Sequence, residues 1–263
     1  MNHPSILLSN NIDMPKVQLA LAAAAGALVS YFLGPKLAAA IRRAKAKITL
    51  KYFAINGLGQ PIRLTLAQAG VPFEDYRFPS RDEFIALKPS LTFGQVPALF
   101  VDGVEFVQSA ATMRYIASTL DPAGQLYPAD PVMRQRIDAL MDQVKDMMTG
   151  RLVMKYKDRF GFSSEVITEE VFQTVQKNWF TTTLPRHLAF FEAQLKASKT
   201  PYFADAPSAT IADIFIACHM KDFVLQDHGT MQECKCEMPA SIASHFDRVF
   251  AQPAISAFKA QEK

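Results

Sequence analysis

Three short stations in this 263-residue chain carry residues able to do chemistry together. The first is Tyr52, near the end of the strand-like run Leu50-Lys51-Tyr52-Phe53, which breaks at Asn56-Gly57-Leu58-Gly59. A phenol at a strand end can donate its O–H to an anion such as a thiolate. The second is Phe93-Gly94-Gln95-Val96-Pro97. A proline just before a strand removes one N–H and leaves the preceding residue's amide and carbonyl free to pair with a peptide laid alongside. The third is Gln108-Ser109, which opens a helix, where unpaired backbone N–H groups and a hydroxyl hold a carboxylate. Each station has an ordinary counterpart: a packed tyrosine, a strand-starting proline, a helix-capping serine. Their order and spacing carry the information.

The elements that must position these residues read as an α/β unit. Residues 48–53 suit a strand, and Gly59-Gln60-Pro61 opens a helix over 62–69 that Gly70 ends. Period-two alternation predicts a strand over 73–78. Residues 98–101 and 104–107 flank Asp102-Gly103, whose positive φ angles a two-residue hairpin turn demands. Apolar residues at helical spacing (Ala110, Met113, Ile116, Ala117, Leu120) then predict a helix over 109–120. With 79–97 read as loop, the order is β-α-β-loop-β-β-α, that of a thioredoxin-like unit.

Residues 121–131 hold three prolines and a glycine and form a natural linker. Everything beyond is helical in pattern: 133–159, then 165–198 with breaks expected at Gly161 and Pro185. Thr210 with Asp213 three residues later reads as a helix cap. The helix it opens, 211–225, is apolar on nearly every side and is expected at the centre of the second domain. The expected domains are therefore 1–47, a hydrophobic and basic extension; 48–124, thioredoxin-like; and 132–263, all-helical.

Composition excludes several function classes. At 49% hydrophobic and 20% charged, the chain buries a sizeable core and is not disordered. Residues 1–47 hold six Lys/Arg against Asp13 alone, leaving 22 basic and 24 acidic residues in the body, without the basic patch and interleaved aromatics of a nucleic-acid binder. Cys218, Cys234 and Cys236 make no secreted-type disulfide framework, and Cys234-Lys235-Cys236 with His219 and His228 lacks the paired spacings of a zinc site; no metal is expected. Residues 17–33 are almost uninterruptedly apolar, closed by Gly34-Pro35 and then by basic residues. That run is at the short edge of a membrane span, longer than a usual signal peptide and more apolar than a transit peptide. An anchor is the leading expectation, with the heavier basic flank placing the body in the cytosol; organelle targeting after cleavage is the alternative.

With Tyr52-Phe53, Phe93-Gly94-Gln95-Val96-Pro97, Asp102-Gly103, Gln108-Ser109 and Ser208-x-Thr210-x-Ala212-Asp213 in this order, the chain from Ile48 onward resembles the glutathione transferases. It is most similar to their sigma class, which includes prostaglandin D synthase. The resemblance implies a thioredoxin-like domain followed by an all-helical one, paired as a homodimer, with glutathione as co-substrate. It implies that Tyr52 stabilises the glutathione thiolate and that Val96, before a cis Pro97, pairs with the cysteinyl backbone. It further implies that Gln108 and Ser109 grip the γ-glutamyl end, and that Lys88, beside Phe84 and Gln95, reaches the glycine carboxylate. Asp146 matches an acid that reaches across the dimer. An apolar electrophile is expected against Met147, Met148, Arg151, Leu152 and Tyr156. Three positions depart from the family: Leu58 stands for an arginine, Phe84 for a tryptophan, and Val153 for the tryptophan of the prostaglandin-specific enzyme. The first two are expected to weaken glutathione contacts or move them. A glutathione-dependent isomerase or peroxidase, and a non-catalytic binding module, are the alternative functions.

Overall fold

A computed structural model describes residues 46–262. Strand β1 (Ile48–Phe53) lies at the centre of a four-stranded sheet because Ile48, Leu50 and Tyr52 alternate toward a buried face. It pairs parallel with β2 (Glu74–Phe78), in register Tyr52↔Arg77, and antiparallel with β3 (Ala98–Val101), in register Leu50↔Leu99. Strand β4 (Val104–Val107) completes the order β2-β1-β3-β4. Asp102 (φ 50) and Gly103 (φ 86) make the β3–β4 turn with the positive φ pair expected of them. The carboxylate of Asp102 accepts from the Lys47 N–H at 2.8 Å and ties the hairpin to the start of β1.

The crossover from β1 to β2 is helix α1 (Gln60–Gln68), begun at Gly59 with Pro61 in its first turn, where a missing N–H breaks no helical bond. Residues 79–97, expected as loop, instead contain helix α2 (Arg81–Leu87) and the 3₁₀ turn Lys88–Ser90. Ser80 caps α2 by accepting the Glu83 N–H at 3.3 Å, and Asp82 and Glu83 sit favourably at its positive end. Helix α3 (Ser109–Tyr115) runs into a π-helical turn, Ile116–Leu120, that keeps Ile116, Ala117 and Leu120 buried.

Beyond the linker, Asp130 caps helix α4 (Pro131–Lys155) by accepting the Met133 N–H at 2.7 Å. Helix α5 (Glu169–Asn178) follows a cap at Thr168. The break expected at Pro185 is absorbed: the π turn Trp179–Thr183 carries the chain into α6 (Leu184–Ala197), with Pro185 in that helix's first turn. Helix α7 (Ile211–His219) is buried at every position, as its all-round apolar sequence required. It packs against α1 of the first domain and against α4 and α9 (Ala240–Phe250) of its own. Between α7 and α9 the chain forms the π turn Met220–Val224 and helix α8 (His228–Glu233), and α10 (Pro253–Gln261) returns to lie on α1.

The architecture is thus a thioredoxin-like sheet unit joined to a helical unit through one continuous apolar core. The membrane-anchored localisation is corrected: among the described residues no helix is long and apolar enough to cross a membrane. Residues 17–33, on which that expectation rested, lie outside the described residues.

Candidate active site

Strand β1 carries Tyr52 toward its C-terminal end, where the β1–α1 loop folds back over the ring. Gly57 and Gly59 make that approach possible: a Cβ at Gly57 would sit 2.7 Å from the phenolic oxygen, and one at Gly59 only 2.5 Å from Cδ1 of the ring. Gly59 has an ordinary helical φ of −79°, so its requirement is space alone. Gly59→Ala is expected to displace the ring or the loop, lowering stability by about 1–3 kcal/mol and turnover with it. Denaturant unfolding alongside steady-state kinetics checks this.

The folded-back loop presents the Leu58 N–H to the Tyr52 hydroxyl oxygen at 3.1 Å. The phenol accepts there, which leaves its own hydrogen to donate outward. Burial pushes the Tyr52 pKa up, with the Leu58 N–H pulling the other way, so the group is protonated at neutral pH and is a donor. The carbonyl of the same Leu58 accepts from Ser109 Oγ at 3.1 Å. The backbone of one residue, Leu58, therefore links the strand-end phenol to the start of α3.

Arg63 fixes this loop from beneath. Fully buried on α1, it pairs through Nε with both carboxylate oxygens of Asp75 (2.9 and 3.0 Å) and donates to the carbonyls of Ile55 (2.8 Å) and Phe53 (3.2 Å). Its guanidinium also lies 5.7 Å from the centre of the Tyr52 ring. The sequence reading did not single out Arg63. The signal was a lone cation inside the apolar stretch Pro61-Ile62-Arg63-Leu64-Thr65-Leu66, every residue of which is buried. Asn56 and Asp222, also missed, join the two domains beside the loop at 3.1 Å.

The Val96–Pro97 bond is cis, and Pro97 leads directly into β3. Gln108 takes the left-handed φ of 68° at the corner before α3 and is exposed, as is Gln95. Lys88 is exposed after α2, and its stem runs beside Gly94, whose Cβ would meet it at 3.3 Å. Phe84 packs edge-on against Phe53 (5.2 Å between ring centres) and near Phe78 (5.8 Å), so the ring that replaces the family tryptophan is partly engaged in the sheet-side apolar layer.

On α4, Asp146 is exposed; burial and then the Arg186 charge lower the pKa of His187, with Asp146 acting in the opposite direction, and Gln143 holds that imidazole at 2.8 Å. Met147 and Met148 are buried in the core, and the Met147 carbonyl accepts from Trp179 Nε1 at 2.9 Å. Leu152 and Arg151 are half-buried and Tyr156 is exposed. Arg151 stacks 4.9 Å from the Trp179 ring centre and, with Met154, Phe172 and Trp179, lines a cavity of about 210 Å³ between α4 and α5. The methionines thus support α4 from behind, whereas Arg151, Leu152 and Tyr156 present surface.

Residues 48–118 match the glutathione S-transferase N-terminal domain and residues 162–262 the glutathione S-transferase C-terminal domain. Glutathione S-transferase 1 of Ascaris suum is 38% identical over 167 residues, covering 64% of this chain and 75% of the relative. The chain belongs to the glutathione S-transferase family. A solved glutathione transferase of Caenorhabditis elegans superposes with a TM-score of 0.67 at 26% identity, over 83% of this chain and 98% of that one. The hematopoietic prostaglandin D synthase of Gallus gallus is 39% identical over 99 residues, which span 38% of this transferase and 47% of the relative. Both matched domains lie beyond residue 47, so family membership lends the membrane-anchored localisation nothing.

Proposed function

We propose that this glutathione transferase holds its co-substrate as a thiolate against the Tyr52 hydroxyl, and that the sulfur then attacks an apolar electrophile seated on α4. The observation that carries this reading is the hydrogen bond from the Leu58 N–H to the Tyr52 oxygen, which occupies the phenol as acceptor and leaves its hydrogen free to donate elsewhere. A free thiol near pKa 8.5 is only slightly ionised at neutral pH; a drop of about two units corresponds to roughly 2.7 kcal/mol in favour of the nucleophilic anion.

In this reading the peptide of Val96, before Pro97, pairs with the cysteinyl unit as an added strand would. Gln108 and Ser109 hold the γ-glutamyl end, where the first N–H groups of α3 are unpaired within the helix. Lys88 balances the glycine carboxylate, with Phe84 and Gln95 beside it. Asp146 reaches the partner's glutathione in a homodimer. Residues 48–124 bind glutathione, and residues 132–263 supply the second-substrate surface. Arg151, Leu152 and Tyr156 face the electrophile, backed by Met147 and Met148, whose adaptable side chains suit a broad range of apolar shapes.

Tyr52→Phe removes the donor and little else. Conjugation turnover is expected to fall about tenfold or more, the size of a lost charge-directed hydrogen bond, while glutathione affinity stays nearly unchanged. Equal turnover of the two proteins rejects the assignment. The likeness to a prostaglandin D synthase favours one second reading, isomerisation by the same thiolate. Product analysis with conjugation, hydroperoxide and prostaglandin endoperoxide substrates separates them.

A further inference from the structure

The loop that caps Tyr52 is clamped from two sides, and only one clamp belongs to its own domain. Arg63 holds the carbonyls of Phe53 and Ile55 from below. From the other side, the Asn56 side-chain amide donates to Oδ1 of Asp222 at 3.1 Å, across 166 residues of sequence. Asp222 sits in the π turn that follows α7 and is only 6% exposed. Burial raises its carboxyl pKa, and the Asn56 contact is the largest influence acting the other way. A buried carboxyl held by one neutral amide stabilises that amide's position, because leaving either group unpaired there is costly.

Asn56 lies two residues before Leu58, and its own carbonyl accepts the Gln60 N–H at 2.9 Å as the chain turns into α1. The intervening residue is Gly57, with φ of 41°. A glycine in that conformation transmits little restraint by itself, so the direction of the Leu58 N–H depends on what anchors Asn56. We propose that Asp222 is a positioning residue contributed by the helical domain, which through Asn56 sets the approach of the Leu58 N–H to Tyr52 and thereby how strongly the phenol holds a thiolate. This inference rests on the assignment of Tyr52 proposed above.

The decisive measurement is the pKa of enzyme-bound glutathione, followed by the ultraviolet absorbance of its thiolate and by the pH profile of kcat/KM. Asp222→Ala and Asn56→Ala are each expected to raise that pKa by about half a unit, a roughly threefold fall in the ratio of thiolate to thiol. Asp222→Asn, whose amide oxygen still accepts from Asn56, is expected to show no rise in the thiol pKa. The sign is informative, because removing a nearby negative charge by itself would favour the anion and lower the pKa in both Asp222 variants. Combined with Tyr52→Phe, Asp222→Ala is expected to add no further shift, since the two act through one contact.

An unchanged or lowered thiol pKa in Asp222→Ala, with thermal stability alone reduced, overturns the inference. If Tyr52→Phe shifts the thiol pKa and Asp222→Ala does not, only the positioning role is lost. If Tyr52→Phe leaves it unmoved, the tyrosine assignment falls first and this inference with it.

Discussion

Arg63→Ala is expected to destabilise the protein by about 3 kcal/mol, the low end of the range for removing one partner of a buried ion pair, because Asp75 is part-exposed and keeps Arg77. The guanidinium is fully buried and makes three kinds of contact at once: two to the Asp75 carboxylate, one each to the Phe53 and Ile55 carbonyls, and one to Gln60 Oε1 at 3.3 Å. Truncation leaves the carbonyls without this donor and strips Asp75 of one of its two arginines, Arg77 being the other at 2.7 Å. Arg63→Lys is expected to recover little. A single ammonium cannot span acceptors that the planar fork reaches on different sides. Denaturant midpoints of both variants test the stability term. Activity is expected to fall further than the unfolded fraction explains, because the released carbonyls belong to the loop that directs the Leu58 N–H at Tyr52.

How much of this was legible in the sequence follows from the range of each interaction. The strand carrying Tyr52, the Asp102-Gly103 turn and the Thr210 cap are set by residues within a few positions of one another, and local preference is enough to reveal them. Helix α2 was local too, and the Ser80…Glu83 spacing that caps it was present but passed over, because a short exposed helix has no buried face to show periodicity. The π turns at Ile116–Leu120, Trp179–Thr183 and Met220–Val224 rotate the helix faces that follow them, which a uniform 3.6-residue period cannot express. Met147 and Met148 point into the core for a related reason: an apolar side chain on a helix between two apolar environments does not declare which one it faces. The contacts that orient the loop over Tyr52 were least legible. Arg63 reaches its acceptors across a β–α–β crossover, and Asn56 meets Asp222 only after the second domain has folded against the first.

That dependence of one domain on the other makes Asp213 the other position of large effect. Its carboxylate is fully buried and accepts from the Thr210 N–H (2.7 Å), the Thr210 hydroxyl (2.6 Å) and the Phe203 N–H (3.0 Å), while His245 Nε2 lies 2.7 Å from the second accepting oxygen. Asp213→Ala leaves each of these buried groups without that partner, and the loss is expected to be about 3–5 kcal/mol. Asp213→Asn keeps the size but sets an amide N–H against donors, so an intermediate loss is expected in the same unfolding measurement. Helix α7 begins at this cap and runs without interruption into the turn that holds Asp222. Loosening the cap lowers the fraction of molecules in which Asn56 is anchored at all. In molecules that remain folded the contact from Asp222 is intact, so the bound-thiol pKa of Asp213→Ala is expected to match that of the unsubstituted enzyme while its activity tracks the folded fraction. A shift in the thiol pKa itself would mean instead that α7 moves within the native state and carries Asp222 with it.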